Sequence, residues 1–398
     1  MRRTPTPALL LAAILTLGTA LSGCGLGSEA RTTRGAGPGA TGSSSQVTPG
    51  APEATPTKAD LAYDRLTPQQ RVGQLFMFGM TTTGPSEEMY AALVEHQSGN
   101  VFLRGQSDEG AAAVRAVTDE IAAATTYAGV RPFVSADQEG GNAQALEGEG
   151  FSEMPTALTQ GTQERRDLKL DAREWASELR GAGVNVDLAP VGDVVPAEVG
   201  AANAPIGFFR RQYGSTPEVV KPAVSAFITG MQKESVATSV KHFPGIGRAT
   251  GNTDSDATAV DPTVPGDPYL APFRRAVQAG AAFVMVSSAT YPELDADNRA
   301  CFSPLVLQEM LRGDLGFEGV IISDSFGSAA VAGTPPGERA VRYFRAGGTM
   351  LLDTNYLDAA PMSQAVLAEM ERDPAFAAIV ESDVRLVLAA KERFGLLD

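Results

Sequence analysis

Histidine, cysteine and tryptophan are all scarce in this chain. Its 398 residues hold two histidines, His96 and His242, two cysteines, Cys24 and Cys301, and one tryptophan, Trp175. Two histidines with no Cys/His cluster at ligand spacing argue against a zinc site, and no other metal is expected. Cys301, in Ala300-Cys301-Phe302, reads as a small buried apolar residue. Trp175 falls on the apolar face of a helical stretch and reads as core. Positive charge is also short: 32 Lys and Arg stand against 47 Asp and Glu, for a net charge of −15. Nucleic acid requires a basic stripe, so no nucleic-acid partner is expected. The same balance disfavours charge-driven binding to anionic lipid. Beyond the N-terminus there is no apolar run long enough to span a bilayer.

What the N-terminus has is an export pattern. Arg2 and Arg3 precede a short apolar stretch, Leu9 to Leu21. It is too short for a spanning helix and reads as a signal segment. It ends in Leu21-Ser22-Gly23-Cys24, which resembles a bacterial lipoprotein cleavage site. The resemblance implies removal of residues 1–23 and lipid on Cys24, which would anchor the protein to the outer face of the cytoplasmic membrane. Lipid on Cys24 would leave Cys301 without a disulfide partner. Residues 24–58 are rich in Gly, Ser, Thr, Pro and Ala and poor in large apolar residues. Such a segment buries too little surface to offset its ordering entropy and reads as a tether. A chain 43% hydrophobic has ample apolar material for a large core without disulfides.

From 59 to 398 short apolar strands alternate with helical stretches. Candidate strands are 73–80, 99–103, 132–136, 184–189, 236–241, 282–287, 319–323 and 348–352. Helical spacing marks 164–180, stopped by Gly181, and 270–279, stopped by Gly280. Eight strands with long connections predict a single α/β domain, a (β/α)8 barrel; a doubly wound open sheet is the alternative. Arg104, Asp137, His242, Ser287, Asp324 and Asp353 fall at or just past strand C-terminal ends. That end of a barrel carries the active site.

Two segments are the most specific. Gly319-Val320-Ile321-Ile322-Ser323-Asp324 is an apolar strand ending on a carboxylate, and Lys241-His242-Phe243-Pro244-Gly245 ends the fifth strand. Lys241 and His242 are adjacent, so strand alternation points at most one straight into the barrel, unless the strand end twists to bring both to the mouth. With Asp137-Gln138-Glu139-Gly140-Gly141 and Ala189-Pro190-Val191-Gly192-Asp193-Val194, they resemble the N-acetylglucosaminidase branch of glycoside hydrolase family 3. The resemblance covers essentially everything after the tether. It implies a retaining hydrolase that removes terminal β-linked N-acetylglucosamine, plausibly from cell-wall fragments, as a monomer without cofactor. It further implies Asp324 as nucleophile and Asp137, Arg211, Lys241 and His242 as sugar-binding residues. Arg210 is as good a candidate as Arg211, and Asp193 reads as an orienting residue.

The departures from that pattern are informative. Asn142 stands where the family has arginine, and Ile246 and Ser288 stand at two family histidines. The family's acid/base histidine has no counterpart in Gly245-Ile246-Gly247-Arg248-Ala249-Thr250-Gly251-Asn252-Thr253-Asp254-Ser255-Asp256. With His242 assigned to binding and His96 far from any strand end, no histidine is left for proton transfer, and a carboxyl whose pKa is raised by burial or a neighbouring carboxylate can serve instead. Asp254 is the expected acid/base and Asp256 the fallback; two acids so close can also share a proton. A carboxylate there would repel phosphate and favour hydrolysis over phosphorolysis. The alternative is a sugar-binding protein that lost its proton donor.

Overall fold

Thr57 caps the helix Lys58–Arg65 through a reciprocal pair of hydrogen bonds with Asp60. Thr67 and Gln70 repeat the arrangement for Pro68–Gly73, with Pro68 in the first turn, where its missing N–H costs nothing. The structure, a computed structural model, describes residues 55–398. The expected signal segment, Cys24 and the tether up to residue 54 lie outside the described residues.

Eight strands follow: β1 Phe76–Thr81, β2 Asn100–Arg104, β3 Phe133–Ala136, β4 Val186–Asp187, β5 Ala237–Phe243, β6 Phe283–Val286, β7 Val320–Ser323 and β8 Leu351–Asp353. They form one parallel sheet in the order β7-β6-β5-β4-β3-β2-β1-β8. Its two ends meet at a parallel bridge between Ile322 and Met350, backed by the Ser323 N–H donating to the Met350 carbonyl at 3.0 Å. The sheet is thus a barrel, as the eight-strand pattern predicts, and not a doubly wound sheet.

The strands are short, uninterrupted apolar runs because helices cover their outer face and side chains fill the interior. Every residue of β5, β6 and β7 is buried. Helix Arg165–Gly181 buries Leu168, Ala172, Trp175, Ala176 and Leu179, one stripe at helical spacing. Trp175 packs against Phe227, so it is core, as expected, and Cys301 is fully buried. The first strand begins at Phe76 rather than 73, because the capped helix holds its chain through Gly73. The fifth runs two residues further than expected, to Phe243.

The end away from the C-terminal strand tips is closed by the last helix, Pro374–Arg393. Its Lys391 is fully buried and donates to Gln74 Oε1 at 2.6 Å and the Gly99 carbonyl at 3.0 Å, just ahead of β1 and β2. Burial holds its ammonium well below the usual lysine range.

Candidate active site

A cavity of about 460 Å³ opens at the C-terminal ends of the strands. Its walls include Arg104 from β2, Asp137 past β3, Lys241 and His242 from β5, Asp324 past β7 and Thr354 past β8. Two long connections add Arg211 and Asp254. Its size falls within the range of small-ligand sites.

Lys241 and His242 both line the cavity, which strict alternation does not allow. The peptide bond between them is cis. The register of β5 against β6 also shifts between Val240 and Phe243. A shift of register bends the strand and re-aims side chains at a barrel rim.

Lys241 Nζ lies 2.5 Å from Asp137 Oδ1 and 2.6 Å from Glu139 Oε1. Glu139 also accepts both arms of Arg211, at 2.7 Å from Nε and 2.6 Å from Nη2. Burial opposes ionisation of Glu139, but Arg211 and Lys241 outweigh it and hold its carboxyl down at about 2. Burial likewise opposes the charge on Lys241, and Asp137 and Glu139 overcome it, so its ammonium is held above the usual range. Glu139 is therefore a fixed anion that anchors two cations in the cavity wall. It escaped the sequence reading, although a signal was present: Asp137 and Glu139 are two apart, hence on one face of an extended chain. Gly140 and Gly141 turn that chain back with φ of 96° and 57°. A Cβ on Gly140 would sit 2.3 Å from the Pro155 carbonyl oxygen, so the pair is required by both conformation and space.

Beneath this cluster Asp187 is buried, accepts the Gln138 N–H at 3.1 Å, and has one oxygen with no protein partner. Burial pushes its carboxyl well above the ordinary range.

Asp193 is buried too, and it orients. One oxygen accepts the Ile246 N–H at 2.8 Å, and the other lies 2.8 Å from His242 Nδ1. Against a carboxylate, Nδ1 carries a proton, and that contact fixes the orientation of the ring. Of the two adjacent arginines, Arg211 joins the cluster, whereas Arg210 is exposed.

Asp324 follows β7, its N–H donating to the Val286 carbonyl at 2.9 Å and its Oδ1 accepting the Ser325 N–H at 2.8 Å. Burial pushes its carboxyl up. The nearby His242 and Lys241 and the Ser325 hydrogen bond pull it down, while the charge of Asp254 adds to the rise. Asp324 and Asp254 thus feel one another across the cavity.

The loop carrying Asp254 is tied down at several points. Arg248 bonds Asp267 at 2.6 Å and Thr263 at 3.0 Å. The Ala329 and Ala330 N–H groups donate to the carbonyls of Asp254 and Thr253, each at 3.1 Å. Asp256 takes a different course from the expected fallback. It is not part of the cavity wall; its Oδ1 accepts the Thr258 N–H and hydroxyl, both at 2.7 Å. Those bonds hold its carboxyl below the ordinary range. A carboxylate satisfied within its own turn is a loop-shaping group, and the two acids do not form a proton-sharing pair. Asn142, on the other side, is exposed and outside the wall.

A parallel barrel with acids and cations gathered at its C-terminal mouth is the architecture of a barrel enzyme. Residues 67–389 match the glycosyl hydrolase family 3 N terminal domain, and the chain belongs to that family. It is 44% identical to a beta-N-acetylhexosaminidase from Beutenbergia cavernae of known structure. That match covers 82% of this chain and 99% of the other, with a TM-score of 0.81. A family 3 beta-N-acetylglucosaminidase from Paenibacillus aligns at 28% identity and a TM-score of 0.73, over 83% of this chain and 63% of that one. The beta-hexosaminidase of Stenotrophomonas maltophilia is 38% identical over 225 residues, 54% of this chain. The stretch it shares with this chain spans 64% of its own length.

Proposed function

We propose that this chain is a retaining glycoside hydrolase that removes terminal β-linked N-acetylglucosamine from cell-wall fragments. One observation carries the reading: Asp324 leaves β7 into the same cavity as the Glu139-anchored cations, with Asp254 entering from a separate loop. The names of the relatives, hexosaminidases and N-acetylglucosaminidases, support it.

Asp324 attacks the anomeric carbon and the bond to the leaving oxygen breaks, while Asp254 gives that oxygen its proton. A water then attacks the glycosyl–Asp324 ester, gives its proton to Asp254 and frees Asp324. His242 and Lys241 favour the ionised form of Asp324 that the first step needs. Asp137, Arg211, Lys241 and His242 hold the sugar hydroxyls. The wider setting is export as a monomer, lipid on Cys24 and a tether to the outer face of the cytoplasmic membrane.

The test is hydrolysis of an aryl β-N-acetylglucosaminide, with the anomer of the first product read by NMR. Asp324→Asn is expected to lower kcat by more than about a thousandfold, and the parent should release the β-anomer. A variant that keeps its activity, or a parent that binds N-acetylglucosamine without turnover, sinks the proposal.

A further inference from the structure

Phe208 and Phe209 are exposed aromatic rings on the loop that brings Arg211 to the cavity. Phe208 is 62% and Phe209 37% exposed, and their centroids lie 5.0 Å apart in an edge-to-face arrangement. Exposed aromatic area carries a hydration cost that a soluble surface usually avoids, and an ordered patch of it marks a place where something binds. The loop that carries them is built to a fixed shape. Asn203 Oδ1 accepts the Ile206 and Gly207 N–H groups at 3.1 and 3.0 Å, and the Phe208 N–H donates to the Asn203 carbonyl at 2.9 Å. Asn203 Nδ2 in turn donates to the Ile246 carbonyl at 2.9 Å, tying this loop to the one that carries Asp254. A Cβ on Gly207 would fall 2.0 Å from the Gly200 carbonyl oxygen, so the close approach of these two strands of the loop is specific. Pro205 and Arg211, on either side of the pair in sequence, both line the cavity, and Arg211 Nη1 donates to the Pro205 carbonyl at 2.9 Å.

We propose that Phe208 and Phe209 form a stacking platform for the sugar ring on the leaving side of the cleaved bond. This rests on the hydrolase reading above and names its preferred substrate as an oligosaccharide rather than a glycoside with a small aglycone. The chemistry fits: a pyranose presents hydroxyls around its rim and C–H groups on its faces, and an aromatic ring meets the apolar face without competing for the hydroxyls. The cavity wall of charged side chains suits the hydroxyls of the terminal sugar. On the loop between Pro205 and Arg211 of that wall, the braced apolar pair suits the face of the next sugar.

The experiment compares kcat/KM for β-1,4-linked N-acetylglucosamine trimer with that for N-acetyl-β-glucosaminyl fluoride, in the parent, Phe208→Ala, Phe209→Ala and Phe208→Tyr. The alanine variants should lose about tenfold on the trimer with little change on the fluoride, whose leaving group has no ring to stack on the platform. Phe208→Tyr should restore the trimer rate. Equal losses on both substrates, or none on the trimer, overturn the platform. If the parent cleaves neither substrate, the hydrolase reading has failed by itself. Calorimetric titration of the trimer then decides: weaker binding by the alanine variants keeps the platform, and unchanged or absent binding removes it.

Discussion

Replacing Glu139 by Gln tests whether the charge cluster holds the site together. Glu139 is buried and faces only cations: both arms of Arg211 and the ammonium of Lys241. Its carboxyl is held at about 2, against about 4.3 for an ordinary glutamate. That gap of about two pH units corresponds to roughly 3 kcal/mol of stability. Breaking a buried ion pair by removing one partner costs about 3–5 kcal/mol by independent measure. Glutamine keeps the shape, loses the charge and turns an N–H2 toward groups that are themselves donors. Urea unfolding at neutral pH should therefore show Glu139→Gln less stable by roughly 3 kcal/mol. Because the folded carboxyl titrates below the unfolded one, the parent's advantage is complete above about pH 4.3. It shrinks as the pH falls toward about 2. A loss below about 1 kcal/mol, or one that does not change with pH, would refute the claim that Glu139 anchors the cluster.

Asp254→Asn should slow hydrolysis of a poor-leaving-group glycoside by about a hundredfold or more and barely affect an activated aryl glycoside; Asp256→Asn should spare the chemistry of both, and comparison of the rates checks it. Asp353 is buried with its carboxyl pushed up to about 7, so its charge opposes folding at higher pH: Asp353→Asn should gain up to about 4 kcal/mol above neutrality, a gain that vanishes below about pH 4 in unfolding titrations. Gly247→Ala would put a Cβ 2.0 Å from the Val194 carbonyl oxygen, at the root of the loop that carries Asp254. It should cost about 1–3 kcal/mol and lower kcat together with stability. Added phosphate should leave the product as free N-acetylglucosamine, and formation of sugar 1-phosphate would contradict the carboxylate acid.

The barrel was legible because each of its strands is a compact apolar run bounded by turn residues, and because the polar residues fall at one end of them. Positions became uncertain where backbone geometry departs from the ideal. At Lys241 and His242, alternation left open whether one or both side chains reach the mouth, and the irregular strand end brings both to the cavity. Glu139 was hidden inside a motif whose aspartate drew the attention, and only the fold brings Arg211, 72 residues later, onto its carboxylate. The sequence ranks Asp254 ahead of Asp256 without separating their surroundings. Their difference lies in which carboxylate is satisfied within its own turn, and that depends on Thr258.

The scarcity of histidine gains its meaning from this arrangement. His242 commits Nδ1 to Asp193, and His96 caps the C-terminal end of the helix Glu87–Glu95, away from the cavity wall. Proton transfer on the proposed pathway then falls to a carboxyl, and the loop offers Asp254 alone for it. The electrostatic consequence is specific. With Asp254 holding the proton that the proposed first step transfers, Arg104, Arg211 and Lys241 meet Asp137, Glu139 and Asp324 around the cavity, three cations to three carboxylates. Two of the cations are already held by Glu139, so little positive field remains to draw an anionic acceptor. A neutral water is the nucleophile such a site accommodates at least cost, and a neutral sugar is the ligand whose hydroxyls can bond to both signs of charge at once.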